Sequence, residues 1–76
     1  MTIEELIRLK SGILIAYNEQ NGQLLFDTSS DSKEHIDKYN KGEVSSIWAE
    51  MEHCCCSSGY YRLTFKCYVV DGSWER

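Results

Sequence analysis

The last third of the chain constrains the fold most. Tyr61, Leu63, Phe65, Cys67 and Val69 alternate with Tyr60, Arg62, Thr64, Lys66 and Tyr68, and a period of two marks a β-strand with one face turned to a core. Such a strand needs a partner, and the segment Val44 to Cys56 reads as that partner. Ser57-Ser58-Gly59 fits a three-residue hairpin loop whose last position is left-handed and suits Gly, which pairs Cys56 with Tyr60. This register sets Glu50 opposite Lys66, Trp48 opposite Tyr68, Met51 opposite Phe65 and Ile47 opposite Val69, with Cys67 opposite Ala49. The first four are an opposite-charge pair, an aromatic pair and two apolar pairs, and a slip of one residue loses them all.

The first half supplies a helix and a second hairpin. Thr2 with Glu5 is a capping-box pattern, Ile3, Leu6 and Ile7 recur at helical spacing, and Ser11-Gly12 ends the run, so a helix is expected over about residues 3–10. Ile13 to Tyr17 and Leu24 to Phe26 flank Asn21-Gly22, the signature of a type I′ turn. Pairing Gln20 with Gln23 sets Tyr17 opposite Phe26 and Ile15 opposite Thr28, and collects Ile13, Ile15, Tyr17, Leu24 and Phe26 on the core face. Asp31 with Glu34 three residues on, and Asn40-Lys41-Gly42 beyond, bound a second short helix over about residues 32–40. Its large apolar groups are Ile36 and Tyr39, enough to cover a sheet edge or end.

Seventy-six residues hold one hydrophobic core, so residues 1–76 form a single small domain. The fold class is α+β: an antiparallel sheet of two β-hairpins with two short helices, in the order α-β-β-α-β-β. So small a core favours a partner or an oligomer that buries further apolar surface.

Charge and cysteine usage narrow the function classes. No apolar run approaches the length of a membrane span and the N-terminus lacks the basic start of a secretion signal, which points to a cytoplasmic protein with no membrane partner. Three of the four cysteines are contiguous, whereas disulfide frameworks space theirs, so reduced thiols are expected. A net charge of −4 makes nucleic acid an unfavoured partner.

Little in the chain suggests chemistry. His53, Cys54, Cys55, Cys56 and Cys67 are zinc-type ligands, but contiguous strand residues point to opposite faces and cannot converge on one ion, so no metal or other cofactor is expected. The same divergence denies His53 and Cys54 the geometry of a base and its nucleophile, although Cys54 and Cys56 on the outer face keep a weak redox potential beside Arg62. Cys55 and Cys67 read as small buried hydrophobes. His35 falls among helix-surface residues and reads as solvated. Trp48, Tyr60 and Tyr68 share the face of the second hairpin opposite Phe65. They are interface residues if that side of the sheet meets water and a second core if a helix packs over it.

The layout resembles small proteins of bacterial phages and mobile elements: a Thr-Ile-Glu-Glu-Leu-Ile start, an Asn-Gly hairpin, a short acidic helix and the strand Glu43-Val44-Ser45-Ser46-Ile47-Trp48. In size and charge it also looks like the anti-CRISPR proteins, phage-encoded inhibitors of host defence. The resemblance covers the whole chain as architecture and carries over no functional residue. It implies a non-enzymatic module of a bacterial or phage-infected cell that binds and blocks a host protein or complex. The expected contacts are Trp48, Tyr68, Tyr60, Glu50, Lys66 and Arg62, with a homodimer or other homo-oligomer as a further arrangement. The alternative is a small oligomeric nucleic-acid-binding protein that uses Arg62, Lys66 and the aromatics of the same face.

Overall fold

A computed structural model describes residues 1–9, 12–53 and 61–75, with the backbone alone at 52, 53 and 61. The elements are α1 (Ile3–Leu9), β1 (Ile13–Asn18), β2 (Leu24–Asp27), α2 (Lys33–Asp37), β3 (Val44–His53) and β4 (Tyr61–Val69), closed by a short 3-10 turn at Ser73–Glu75. The expected mixture and order of helices and strands are present. The sheet, however, is mixed and not antiparallel throughout: its order is β2-β1-β4-β3, and the two hairpins join through a parallel pair, β1 with β4.

That parallel pair decides which side of β1 is buried. Leu14, Ala16 and Asn18 lie opposite Phe65, Cys67 and Val69, while Ile13, Ile15 and Tyr17 lie opposite Thr64, Lys66 and Tyr68. The first set is buried and the second half-buried, so the core face expected for β1 is reversed. The turn explains the reversal. Asn18 and Gln23 close a four-residue loop in which Gly22 N–H donates to the Asn18 carbonyl, and Asn18 Oδ1 accepts from Gln20 N–H. Of the loop residues only Gly22 has positive φ, at 71°, so the turn is not type I′, which needs two such residues. A bulge between Ala16 and Tyr17 completes the shift, leaving Ala16 opposite Phe26, Ile15 opposite Asp27 and Tyr17 opposite Leu24.

Both helices cover one face of the sheet. Ile3 and Leu6 of α1 pack with Leu14, Ala16, Phe26, Cys67 and Val69, and Ile36 and Tyr39 of the α2 region and Trp74 close over them. Tyr39 is the hub, its ring 5.7 Å from Phe26, 5.6 Å from His35 and 5.2 Å from Trp74. The Thr2 hydroxyl accepts from Glu5 N–H at the start of α1, and Ile3 N–H and Glu4 N–H donate to the carbonyls of Gly42 and Asn40. These contacts satisfy early amides that a helix cannot pair for itself. Gly42 is required at that junction, because a Cβ there would lie 2.8 Å from Val69 Cγ1.

The second helix is shorter than expected, and its cap is Ser32, whose hydroxyl accepts from His35 N–H. Asp31 instead accepts from Asp27 N–H at 2.8 Å. His35 is half-buried and not solvated: its Nε2–H donates to the Leu25 carbonyl at 2.9 Å and ties α2 to β2.

Candidate functional site: the open face of the sheet

Between β3 and β4 the observed register differs from the expected one by two residues. Glu50 lies opposite Thr64, Trp48 opposite Lys66, Met51 opposite Leu63, Ile47 opposite Cys67 and Ala49 opposite Phe65, with a bulge between Val44 and Ser46. Glu50 is therefore not opposite Lys66, nor Cys67 opposite Ala49. An even slip leaves the side chains of Ser46 to Met51 on their expected faces, the bulge moving Val44 to the core side, and it turns the expected direct pairs into diagonal ones, which long and aromatic side chains still span.

On the face away from the helices the diagonal pairs are in contact. The Trp48 and Tyr68 ring centroids are 5.0 Å apart, and Tyr17, brought alongside by β1, stands 6.3 Å from Tyr68. The three rings form a row across β3, β4 and β1. The core cluster that both helices cover contains none of these rings. The open side of the sheet therefore carries Ile13, Ile15 and Trp48 half-buried and Leu24 and Tyr68 exposed.

The charged members are paired. Lys66 Nζ donates to Glu50 Oε2 at 2.5 Å, and Trp48 Nε1–H donates to Glu50 Oε1 at 3.2 Å. These two donors, Lys66 first, hold the Glu50 carboxyl below its ordinary value of 4.5. Lys66 is mostly covered, with 17% of its side chain accessible, and its ammonium is engaged. Beside them Thr64 is fully buried, and its Oγ1 has no hydrogen-bond partner among the described residues.

Of the six residues expected at the site, Trp48, Tyr68, Glu50 and Lys66 converge. Arg62 is exposed on the same face opposite Glu52, and Tyr60 lies outside the described residues, as do Cys54, Cys55, Cys56 and the Ser57-Ser58-Gly59 loop. Sequence reasoning missed Tyr17, Ile13 and Ile15, because it placed them in the core. The signal available was Ile-Leu-Ile-Ala-Tyr itself, an apolar run with no alternation, as expected of a strand paired on both sides.

Other parts of the molecule offer less chemistry. A groove of about 750 Å³ between α1 and α2 is lined by Glu4, Arg8, Asp31 and Lys33 among others, and Arg8 there is already bonded to Glu4 at 3.0 Å. Cys67 is a buried free thiol, and burial pushes its pKa up to about 11, so it is a poor nucleophile. Among the described residues no three His, Cys, Asp or Glu side chains gather as a metal site, and no helix is long and apolar enough to cross a membrane. No protein-family model, curated protein or solved structure matches the chain.

Proposed function

We propose that this chain is a non-enzymatic protein-binding module whose contact surface is the open face of the sheet, centred on Tyr17, Tyr68 and Trp48. The observation that supports it is the row of three rings on a face that neither helix covers. Aromatic groups held on rigid strands give large contact area at little entropic cost and are enriched among residues that dominate binding. Inhibition of a host defence protein by a phage-encoded binder is the biological role most in keeping with the small acidic chain, and it needs no catalytic group.

Nucleic acid is the weaker reading. Affinity for phosphate rests on available cations, and on this face Lys66 is held by Glu50 while Asp27, Glu50 and Glu52 occupy neighbouring register positions. The test is capture from a bacterial host lysate with the wild-type chain and with Tyr68→Ala. Protein captured by the wild type and lost with Tyr68→Ala, in a variant that stays folded, supports the assignment. Equal capture by both removes it. A nuclease-sensitive complex that dissociates steeply with salt would establish the nucleic-acid reading in its place.

A further inference from the structure

We propose that two copies of this chain pair antiparallel through the outer edges of β3, about a two-fold axis normal to the sheet at Ala49, to give one continuous eight-stranded sheet with all four helices on one side. The seam runs along the strand edge and meets the aromatic row only at Trp48, and the inference does not depend on the function proposed above.

The argument begins at the edge. β3 is an edge strand of ten residues, twice the usual length, whereas the opposite edge, β2, has four and carries the His35 latch. Among the described residues, the outer side of β3 is hydrogen-bonded at its start, where Thr2 bridges Glu43 and Val44 N–H donates to the Met1 carbonyl. Natural sheets guard long edges with proline, inward or edge lysines, or central bulges. The chain has no proline, β3 has no lysine or arginine, its charges are the carboxylates Glu52 and Glu50, the latter already paired with Lys66, and its bulge lies at the beginning.

The apolar surface is gathered at the same edge. Of the seven large hydrophobic residues exposed among those described, six belong to α1, its leading residue and the outer hairpin: Met1 (51%), Leu9 (69%), Ile47 (42%), Met51 (65%), Leu63 (45%) and, on the open face, Tyr68. Ile47, Met51 and Leu63 lie on the helix side of the sheet, where a groove of about 580 Å³ runs between Leu6 and Leu9 above and Ile47, Ala49 and Phe65 below.

Charge selects the occupant and the register. An axis normal to the sheet pairs residues whose numbers have a fixed sum and keeps both helical layers on one side. Centred on Glu50, it sets two carboxylates directly opposite, which is unfavourable. Centred on Trp48, it leaves Met51 facing Ser45. Centred on Ala49, it sets Ile47 against Met51 of the second copy twice over, and Glu50 against Trp48, whose indole N–H already serves as its donor within one chain. Of these three registers the strand is complementary to itself in the last: apolar pairs on the helix side, an indole beside each carboxylate on the other. The two α1 helices then flank the axis, and Leu9 and Met1 border the joined surface.

Sedimentation equilibrium from micromolar to millimolar concentration tests the pairing. The wild type should approach twice the monomer mass, and Met51→Lys, at an exposed position, should weaken association roughly tenfold or more while the circular dichroism spectrum stays unchanged. Met51→Leu should associate like the wild type. The register is tested by Ile47→Glu combined with Met51→Lys in one chain: each alone weakens association, and together they restore it through two opposite-charge pairs across the axis. A wild type that stays monomeric throughout overturns the proposal. So does a dimer indifferent to Met51→Lys but lost with Tyr68→Ala, which would place the contact on the open face. Failure of the double variant to recover overturns the Ala49 register.

Discussion

Removal of the Trp48 side chain distinguishes an open sheet face from a core. Trp48 is half-buried, so its truncation to Ala returns to water on the order of 70 Å² of apolar surface, about 1.5–2 kcal/mol at about 25 cal/mol per Å². A compact unfolded chain lowers that by roughly a quarter, and loss of the Tyr68 ring pair adds about 0.5–1 kcal/mol. No cavity forms, because the vacated space is open to water. The sum is about 2 kcal/mol, against a total stability on the order of 5 kcal/mol for a domain of this size. Phe26→Ala is the control: Phe26 is fully buried in the helix-covered core, and its truncation leaves a void at a cost of about 3–5 kcal/mol. In urea, at a slope of about 1 kcal/mol per molar, the Trp48 variant should unfold cooperatively with its midpoint lowered by roughly 2 M. The Phe26 variant should lose about twice as much, with a midpoint close to zero denaturant. Equal losses for the two, or an unfolded Trp48→Ala, would refute the reasoning and assign Trp48 to a buried core.

Two further outcomes concern the same face. Thr64→Val replaces a buried hydroxyl that has no partner among the described residues with a methyl group of similar shape, and should raise stability by about 1 kcal/mol in urea unfolding; a loss would show that the hydroxyl is satisfied. Glu50 is more acidic in the folded chain because Lys66, and then Trp48, donate to it, so the stability it contributes is complete above its ordinary value of 4.5 and is lost as pH falls through the lower folded value. Glu50→Gln should flatten the acid limb of the stability profile below about pH 5, and an unchanged limb would show that the pair contributes nothing to folding.

How far the sequence could be read follows from the residues themselves. Helix α1 was legible because Thr2, Glu5 and the Ile3, Leu6, Ile7 spacing agree. The faces of β4 were legible because its alternation is regular, which is why Trp48 and Tyr68 meet even though the register moved. Polar and apolar patterning resists a slip of one residue and is blind to a slip of two. The face of β1 was not legible: Ile13 to Tyr17 is apolar on both sides, and which side is buried depends on pairing with β4, some fifty residues away, which no local signal reports. The start of α2 offered two adjacent acceptors, Asp31 and Ser32, and the choice fell to Ser32 because Asp31 is taken by the Asp27 amide. His35 looked solvated because its partner is a carbonyl, and a backbone acceptor has no residue type to recognise.

The parallel pairing of β1 with β4 also sets an order of events during folding. Each hairpin closes on its own neighbours, yet neither owns a core: Leu14 and Ala16 wait for Phe65 and Cys67, and α1 waits for Val69. Ile13 meets Thr64 across 51 positions, so the decisive loop closes late and its entropy is lost before the apolar contacts repay it. On the ribosome, the first two-thirds of the chain must emerge with β2 alone to pair β1, whose other edge is left for β4. Folding therefore completes only with the closing residues of β4, and a nascent chain halted before them presents the β4-facing edge of Ile-Leu-Ile-Ala-Tyr to whatever binds unpaired strands.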